Sequence, residues 1–264
     1  MSERGLVRIG IAGAVGRMGR AVAAEVIGRT ELSLAAVFDR PGSEGSALED
    51  QILVTAEQAL NRCDVIIDFS SAAASARLAH MAAEKAGPAL VIGSTGCSPA
   101  EEAVIVAASE QVAILKSGNF SLGVAILAAL VERTARRLEA RDWDIEIFEA
   151  HHRRKRDAPS GTALSLGEAA ARGRGVSLAQ VTSPARVGLD AQRREGDIGF
   201  SVMRGGEIVG EHSVVFAASG EILTLSHSAR DRRIFAKGAV EAALWLAHRT
   251  PGLYAMSDVL DLVD

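Results

Sequence analysis

The sequence predicts an α/β protein: a doubly wound parallel sheet in the N-terminal part, followed by a C-terminal α+β domain. Three observations predict it. Short, almost wholly apolar runs alternate with helix-period stretches as far as residue 115, the pattern of strands buried on both faces between crossover helices. A glycine turn, Gly13-Ala14-Val15-Gly16-Arg17-Met18-Gly19, joins the first run to the first helical stretch. Later in the chain the strand-like runs alternate polar with apolar and are parted by Gly-Gly and Ser-Gly turns, as in a sheet with one solvated face.

The elements follow in order. LVRIGIA (6–12) reads as the first strand and GRAVAAEVIGR as its helix. LSLAAVF (32–38) and DVIIDF (64–69) are the second and third strands, the latter followed by an alanine-rich helical pattern over 72–86. ALVIG (89–93) is the fourth, with the helix PAEEAVIVAAS after it, and VAIL (112–115) is the fifth. SLGVAILAALVERTARRLEA (121–140) is a long helix, and DWDIEIFEA alternates as a half-buried strand does. A helix follows a Pro-Ser-Gly-Thr turn, and then IGFSVMR, IVGEHSVVFA and ILTLSHSA form a meander-like set. RRIFAKGAVEAALWLAHR (232–249) is a final amphipathic helix, and the charged stretch 182–197 is the longest loop. There is no internal repeat and no low-complexity linker. The boundaries expected are 1–121, with 232–264 returning to it, and 122–231.

Composition narrows the function classes. A chain of 264 residues can build two modest domains with a well-buried core. Aromatic residues make up only 4%, which argues against the stacking surfaces of RNA readers. The net charge of −4 argues against a general nucleic-acid binder, so any attraction for anions is local. Cys63 and Cys97 form neither a CxxC nor a zinc spacing and read as unpaired thiols in a reducing cytoplasm. MSERGLVRIGIAGA lacks the character of a signal peptide, and no run reaches the ~20 apolar residues of a membrane span. A soluble, cytoplasmic protein without a metal is expected.

Glycines in the first turn let the backbone approach a pyrophosphate, and the following helix presents its positive dipole end to it. The spacing is GxxGxxG, one residue longer than the usual GxGxxG, and it is the strand–turn–helix setting that gives it weight. The expected sheet is therefore of the Rossmann type. Asp39 lies 20 residues past Gly19 at the end of the second strand, where a carboxylate can accept from ribose hydroxyls; the plainer reading is a turn aspartate. Arg40 can pair with a 2′-phosphate, so NADH and NADPH both stay open. Arg17 either faces phosphate or is a solvated first-turn residue. Gly93-Ser94-Thr95-Gly96 and Ser117-Gly118-Asn119-Phe120 follow the fourth and fifth strands, in position for a nicotinamide, although both are also common turn compositions.

The stretch EAHHRRKRDAPSGTA (149–163) concentrates positive charge in an acidic chain. Metal binding explains it poorly, because adjacent His151 and His152 on a strand point to opposite faces and no third ligand is near. A solvated basic loop is one reading. The other is a small-anion site with proton chemistry: Lys155 and the arginines neutralise carboxylates, and histidine exchanges a proton near neutral pH. Ser160, Gly161 and Thr162 open a helix, where amides and hydroxyls hold a carboxylate or simply cap the helix.

Together GIAGAVGRMGR and EAHHRRKRDAPSGTAL resemble the 4-hydroxy-tetrahydrodipicolinate reductase (dihydrodipicolinate reductase) family of bacterial lysine and diaminopimelate synthesis. The central motif E-x-H-H-x-x-K-x-D-A-P-S-G-T-A is long and specific. The resemblance extends through VIGSTG, SGNFS, VGEH and FAKGAVEAALWL, essentially the whole chain.

The resemblance implies a dinucleotide-binding domain over 1–121 and a substrate-binding and oligomerisation domain over 122–231. It implies cofactor contacts at Gly13, Ala14, Val15, Gly16, Arg17 and Met18, at Asp39 and Arg40, and at Gly93, Ser94, Thr95, Ser117, Gly118, Asn119 and Phe120. Some members carry a longer glutamate where Asp39 stands. His151 becomes the proton donor or acceptor and Lys155 the second acid. His152, Gly161 and Thr162 hold the substrate carboxylates, with Ser160 and Thr95 nearby. The implied reaction passes hydride from NADH or NADPH to a cyclic imine dicarboxylate with loss of its hydroxyl as water, in a homotetramer joined through the second domain's sheets. Domain closure is expected to bring the basic segment to the cofactor. One departure touches the nicotinamide turn: Lys116 and Ser117 stand where other members often have smaller apolar residues. A different amino- or hydroxy-acid dehydrogenase would explain the glycine turn but not the central motif.

Overall fold

The computed structural model describes residues 5–48, 50–183, 186 and 191–262. The chain forms two compact units, 1–121 with 233–264, and 122–232.

The first unit begins with β1 (Val7–Ala12), α1 (Arg17–Ile27), β2 (Leu32–Phe38), β3 (Ala47–Leu48), β4 (Gln51–Ile52) and α2 (Ala56–Leu60). It continues with β5 (Val65–Asp68), α3 (Ala72–Glu84), β6 (Ala89–Ile92), α4 (Pro99–Ser109) and β7 (Ala113–Lys116). Helix starts are written locally. Ser71 Oγ accepts from the Ala74 amide at the head of α3. Ser98 and Glu101 form a reciprocal capping box on α4, with Pro99 at its first position.

The second unit holds α5 (Leu122–Arg137), β8 (Asp144–His151), α6 (Gly161–Gly173), α7 (Leu178–Val181), β9 (Ile198–Arg204), β10 (Gly210–Ala217) and β11 (Ile222–Ala229). The chain then returns to the first unit through α8 (Arg233–Leu246), β12 (Gly252–Tyr254) and α9 (Met256–Val259).

The first sheet runs β12-β7-β6-β5-β1-β2 and is parallel throughout. Ile9, Ile66, Leu90 and Ile114 are fully buried in it, as the apolar runs require. Because β1 lies between β2 and β5, the winding reverses there, and a crevice is expected beyond the carboxyl ends of the adjacent β1 and β5. Arg29 at the end of α1 pairs with Glu241 of α8 at 2.6 Å. Gly238 of α8 lies so close to the Phe120 carbonyl that no larger residue would fit.

The second sheet runs β11-β10-β8-β9. One face packs Ile145, Ile147, Val214 and Phe216 against Leu127 and Val131 of α5 and Leu166 and Ala170 of α6. The strand set is not the meander the sequence suggests. β8 lies between β9 and β10 and pairs parallel with β9. Alternation marks a strand but not its neighbour. Here residues 205–209 arch over the end of β8, with Gly205 N donating to the His151 carbonyl (2.9 Å) and His152 N to the Ile208 carbonyl (2.8 Å). This arch brings β9 and β10 to either side of the basic segment.

The strands β3, β4 and β12 are too short to show a period and are absent from the sequence reading. Of the expected 182–197 loop, residues 184–185 and 187–190 lie outside the described residues. No helix among the described residues is long and apolar enough to cross a membrane.

Candidate active site

In the first unit the glycine turn lies where β1 meets α1. Gly13 has φ +71°, and a Cβ there would come within 2.7 Å of the Phe69 carbonyl at the end of β5. Gly19 packs directly on the Gly13 carbonyl, so the helix starts flush against the turn. Ala14 is buried, while Val15, Gly16 and Arg17 are exposed along the turn and Met18 is half-buried. Asp39 Oδ2 accepts from the Val15 amide (3.1 Å) and Oδ1 from the Arg40 amide (2.9 Å). The carboxylate therefore fixes the turn and keeps spare lone pairs for a hydroxyl. A cavity of about 550 Å³ is lined by Gly13, Gly16, Asp39, Arg40, Phe69 and Arg77. Its glycine floor, its helix N-terminus and its carboxylate fit a dinucleotide.

At the ends of β6 and β7 the expected nicotinamide turns divide. Gly93 has no room for a side chain because the Phe69 ring lies on it. Ser94 turns inward and shares a hydrogen bond with Ser75 (2.7 Å), which donates to buried Asp68 (2.6 Å). Thr95 is exposed, and its Cγ2 lies near Gly118. Ser117 Oγ closes its own turn by donating to the Asn119 carbonyl (2.7 Å). Lys116 pairs with Glu102 of α4 (2.6 Å), so its charge is spent on α4. Phe120 is buried, with its ring edge-on to Phe69 at 5.5 Å; its side chain belongs to the core.

In the second unit the basic segment leaves the end of β8. His151 faces the covered side of the sheet with Glu149, which has no solvent exposure. His151 Nδ1 meets Glu149 Oε2 at 2.6 Å. Arg204, at the end of β9, donates from both terminal nitrogens to Glu149, each at 2.8 Å. Ser160 N donates to Glu149 Oε1 (2.9 Å), and Ser160 Oγ caps α6 through the Ala163 amide (3.2 Å). Burial alone would raise the Glu149 carboxyl, but hydrogen bonds from Arg204, His151 and the Ser160 amide outweigh it and hold it below its ordinary value.

Burial lowers His151, Glu149 pulls it back up, and the charges of Lys155 and Arg204 lower it further. His212 of β10 stacks edge-on to His151 at 5.1 Å and shares a hydrogen bond with Ser160 Oγ (3.1 Å). Its burial pushes it down to about 4, so its ring is neutral.

Lys155 is docked on Asp157 at 2.9 Å, and Arg154 on Glu207. His152 Nδ1 is buried with no hydrogen-bond partner among the described residues. Gly161 is the first residue of α6, and an added Cβ there would touch nothing. Neither packing nor a positive φ calls for a glycine at that position, and the approach to the helix N-terminus is clear there.

The chain matches the family models for the N-terminus of dihydrodipicolinate reductase over residues 7–120 and for its C-terminus over 123–260. The chain belongs to the dihydrodipicolinate reductase family. It is 56% identical over 254 residues to the 4-hydroxy-tetrahydrodipicolinate reductase of Caulobacter vibrioides, covering 96% of this chain and 97% of that one. It is 48% identical over 263 residues to that of Dinoroseobacter shibae, covering 96% and 97%. The solved dipicolinate-bound dihydrodipicolinate reductase from Paenisporosarcina sp. TG-14 shares the fold, with a TM-score of 0.76 at 20% identity over 95% of this chain and 97% of that chain.

In this dihydrodipicolinate reductase family member, Arg204 and His212 come from strands distant in sequence; no local motif marks Arg204, and His212 ends the VGEH stretch without any local sign of its place beside His151. Glu149 opens the basic motif, but its role shows only once Arg204 is beside it. Asp68, Phe69 and Arg77 had no signal beyond a strand end and an alanine-rich helix.

Proposed function

We propose that the protein catalyses the NAD(P)H-dependent reduction of 4-hydroxy-tetrahydrodipicolinate in lysine and diaminopimelate synthesis. The balance is substrate plus NAD(P)H plus one proton giving tetrahydrodipicolinate, NAD(P)⁺ and water. The observation that carries this reading is a titratable histidine, His151, buried beside a helix N-terminus and two cationic side chains in a family whose named relatives perform this reduction. The nicotinamide nucleotide, when bound, supplies the hydride.

The chain's own residues do the rest. Gly13, Gly16 and the head of α1 receive the pyrophosphate, and Asp39 the ribose. Arg40 and Arg77 line the same cavity, which supports room for a 2′-phosphate, so the cofactor is NADH, NADPH or both. Thr95, Asn119 and the neighbouring backbone orient the nicotinamide. His152, Ser160, Gly161 and Thr162 hold the substrate carboxylates; dipicolinate, the ligand of the solved relative, is a planar acid of the same skeleton. His151 gives a proton to the ring carbon next to the one that receives hydride, and Lys155 stabilises the charge that develops.

The protein acts in the cytoplasm as a homotetramer. The second sheet's open face, which exposes Phe148, Met203 and Ile222, is the surface available for that assembly.

The test couples the purified protein to a synthase that condenses pyruvate with aspartate semialdehyde. Absorbance of NADH or NADPH should fall only when the condensation product and this protein are both present. Folded protein that binds nucleotide yet oxidises neither cofactor would refute the reading.

A further inference from the structure

We infer that Glu149 is the positioning residue of His151: clamped by Arg204 and the Ser160 amide, it holds the imidazole with its proton on Nδ1, so that Nε2 is the nitrogen that exchanges protons with substrate. This deepens the proposed reduction and rests on it.

Every direction around the carboxylate is used. Oε1 accepts from Ser160 N (2.9 Å) and Arg204 Nη2 (2.8 Å), while Oε2 accepts from Arg204 Nη1 (2.8 Å) and faces His151 Nδ1 (2.6 Å). An ionised carboxylate can only accept, so Nδ1 must donate. Arg204 is itself anchored, since Nη2 also donates to the Asp157 carbonyl (2.7 Å). The clamp therefore ties β8, β9 and the Asp-Ala-Pro-Ser-Gly-Thr turn to one point.

The other nitrogen is left clear. Gly210 lies beside Nε2, and a Cβ there would stand 3.2 Å from it. Gly210 is not among the glycines with positive φ, so its small size, rather than its backbone, suits the place.

The charged and titratable groups facing His151 are Glu149 on its own strand, Lys155 in the following loop, Arg204 on β9 and His212 on β10. Glu149 holds a proton on the ring, and the two cations push it off. Pairing Glu149 with Arg204 mutes its pull, so the ring rests neutral and charges when a dicarboxylate arrives. The proton then passes from Nε2 to the substrate carbon, and the ring returns to the Nδ1–H form and is recharged from solvent.

The test reads the tautomer directly, by nitrogen NMR of wild-type protein labelled at histidine, with His151→Asn assigning the signal. The neutral ring should carry its proton on Nδ1. Glu149→Gln should lose that preference, lower kcat by about 100-fold or more, as a wrong tautomer does in a serine protease, and leave the NADH Kd within about twofold. Its pH profile should shift to lower pH, whereas Arg204→Met should shift it upward; a merely structural role would not give opposite signs. The tautomer is read without substrate and needs no variant to fold in Glu149's place. An active enzyme whose wild-type His151 carries its proton on Nε2 overturns the positioning role and leaves the reduction standing. A Glu149→Gln enzyme with wild-type kcat and pH profile overturns it equally.

Discussion

Asp68 and Glu149 are both carboxylates with no solvent exposure, one at the end of β5 and the other near the end of β8. Among the described residues Asp68 is held by neutral donors: the Ser70 amide (2.8 Å), the Ser70 hydroxyl (2.5 Å) and the Ser75 hydroxyl (2.6 Å). Burial therefore pushes it above its ordinary value. Glu149 has a guanidinium and an imidazole, and it stays below its ordinary value although it is also withdrawn from solvent. Their proton affinities move in opposite directions because Asp68 sits deeper and has only neutral donors beside it, while Glu149 has charged ones. The two units use this difference for different ends. Asp68 braces the Ser75–Ser94 pair under a turn expected to meet the cofactor. Glu149 braces the ring for which proton transfer is proposed.

The comparison breaks most visibly if the cation is removed. Arg204→Met leaves Glu149 buried without its counter-charge and should cost about 3 kcal/mol, the lower end for a broken buried pair, in urea unfolding. A loss under about 1 kcal/mol would mean that the carboxylate had simply taken a proton. On the nucleotide side, Gly13→Ala forces an L residue to positive φ against the Phe69 carbonyl. It should cost about 1–2 kcal/mol and weaken NADH binding, measured by calorimetry, with little change in dipicolinate binding.

Asp68→Asn keeps the shape and removes a charge that the site disfavours; the new NH2 can donate to Ser75 Oγ if that hydroxyl turns to donate to Ser94, so the cost should stay within about 1 kcal/mol. The pH dependence sharpens the contrast, although its magnitude is smaller. Asp68 binds its proton more tightly folded than unfolded, so its stabilising contribution is full at low pH and declines as pH rises past about 4. Glu149 behaves oppositely: its contribution is full at neutral pH and is lost as pH falls below about 4. Unfolding free energies of wild type minus Asp68→Asn, and of wild type minus Glu149→Gln, should therefore slope in opposite directions through the acid range.

The sequence makes the first unit largely legible because its signals are local. Apolar runs buried on both faces, a glycine turn and an aspartate 20 residues on are all read along one chain. The second unit is less legible. Its strands are recognisable, but nothing local says that β8 slides between β9 and β10, and that insertion is what brings Arg204 to Glu149. Ser160 is legible as a helix cap; that its amide also holds Glu149 is a tertiary fact. Lys116 and Phe120 show the reverse case: the first is next to an expected cofactor turn and the second is part of it, yet their side chains serve Glu102 and the core.

The central claim is that a proton from His151 completes the reduction. The most direct measurement compares kcat for the condensation product and nucleotide affinity in wild type and His151→Ala. The account predicts a fall in kcat of about 10²–10⁴-fold, the usual share of a general acid, with the NADH Kd unchanged within about twofold. A His151→Ala enzyme that turns over at the wild-type rate would contradict it.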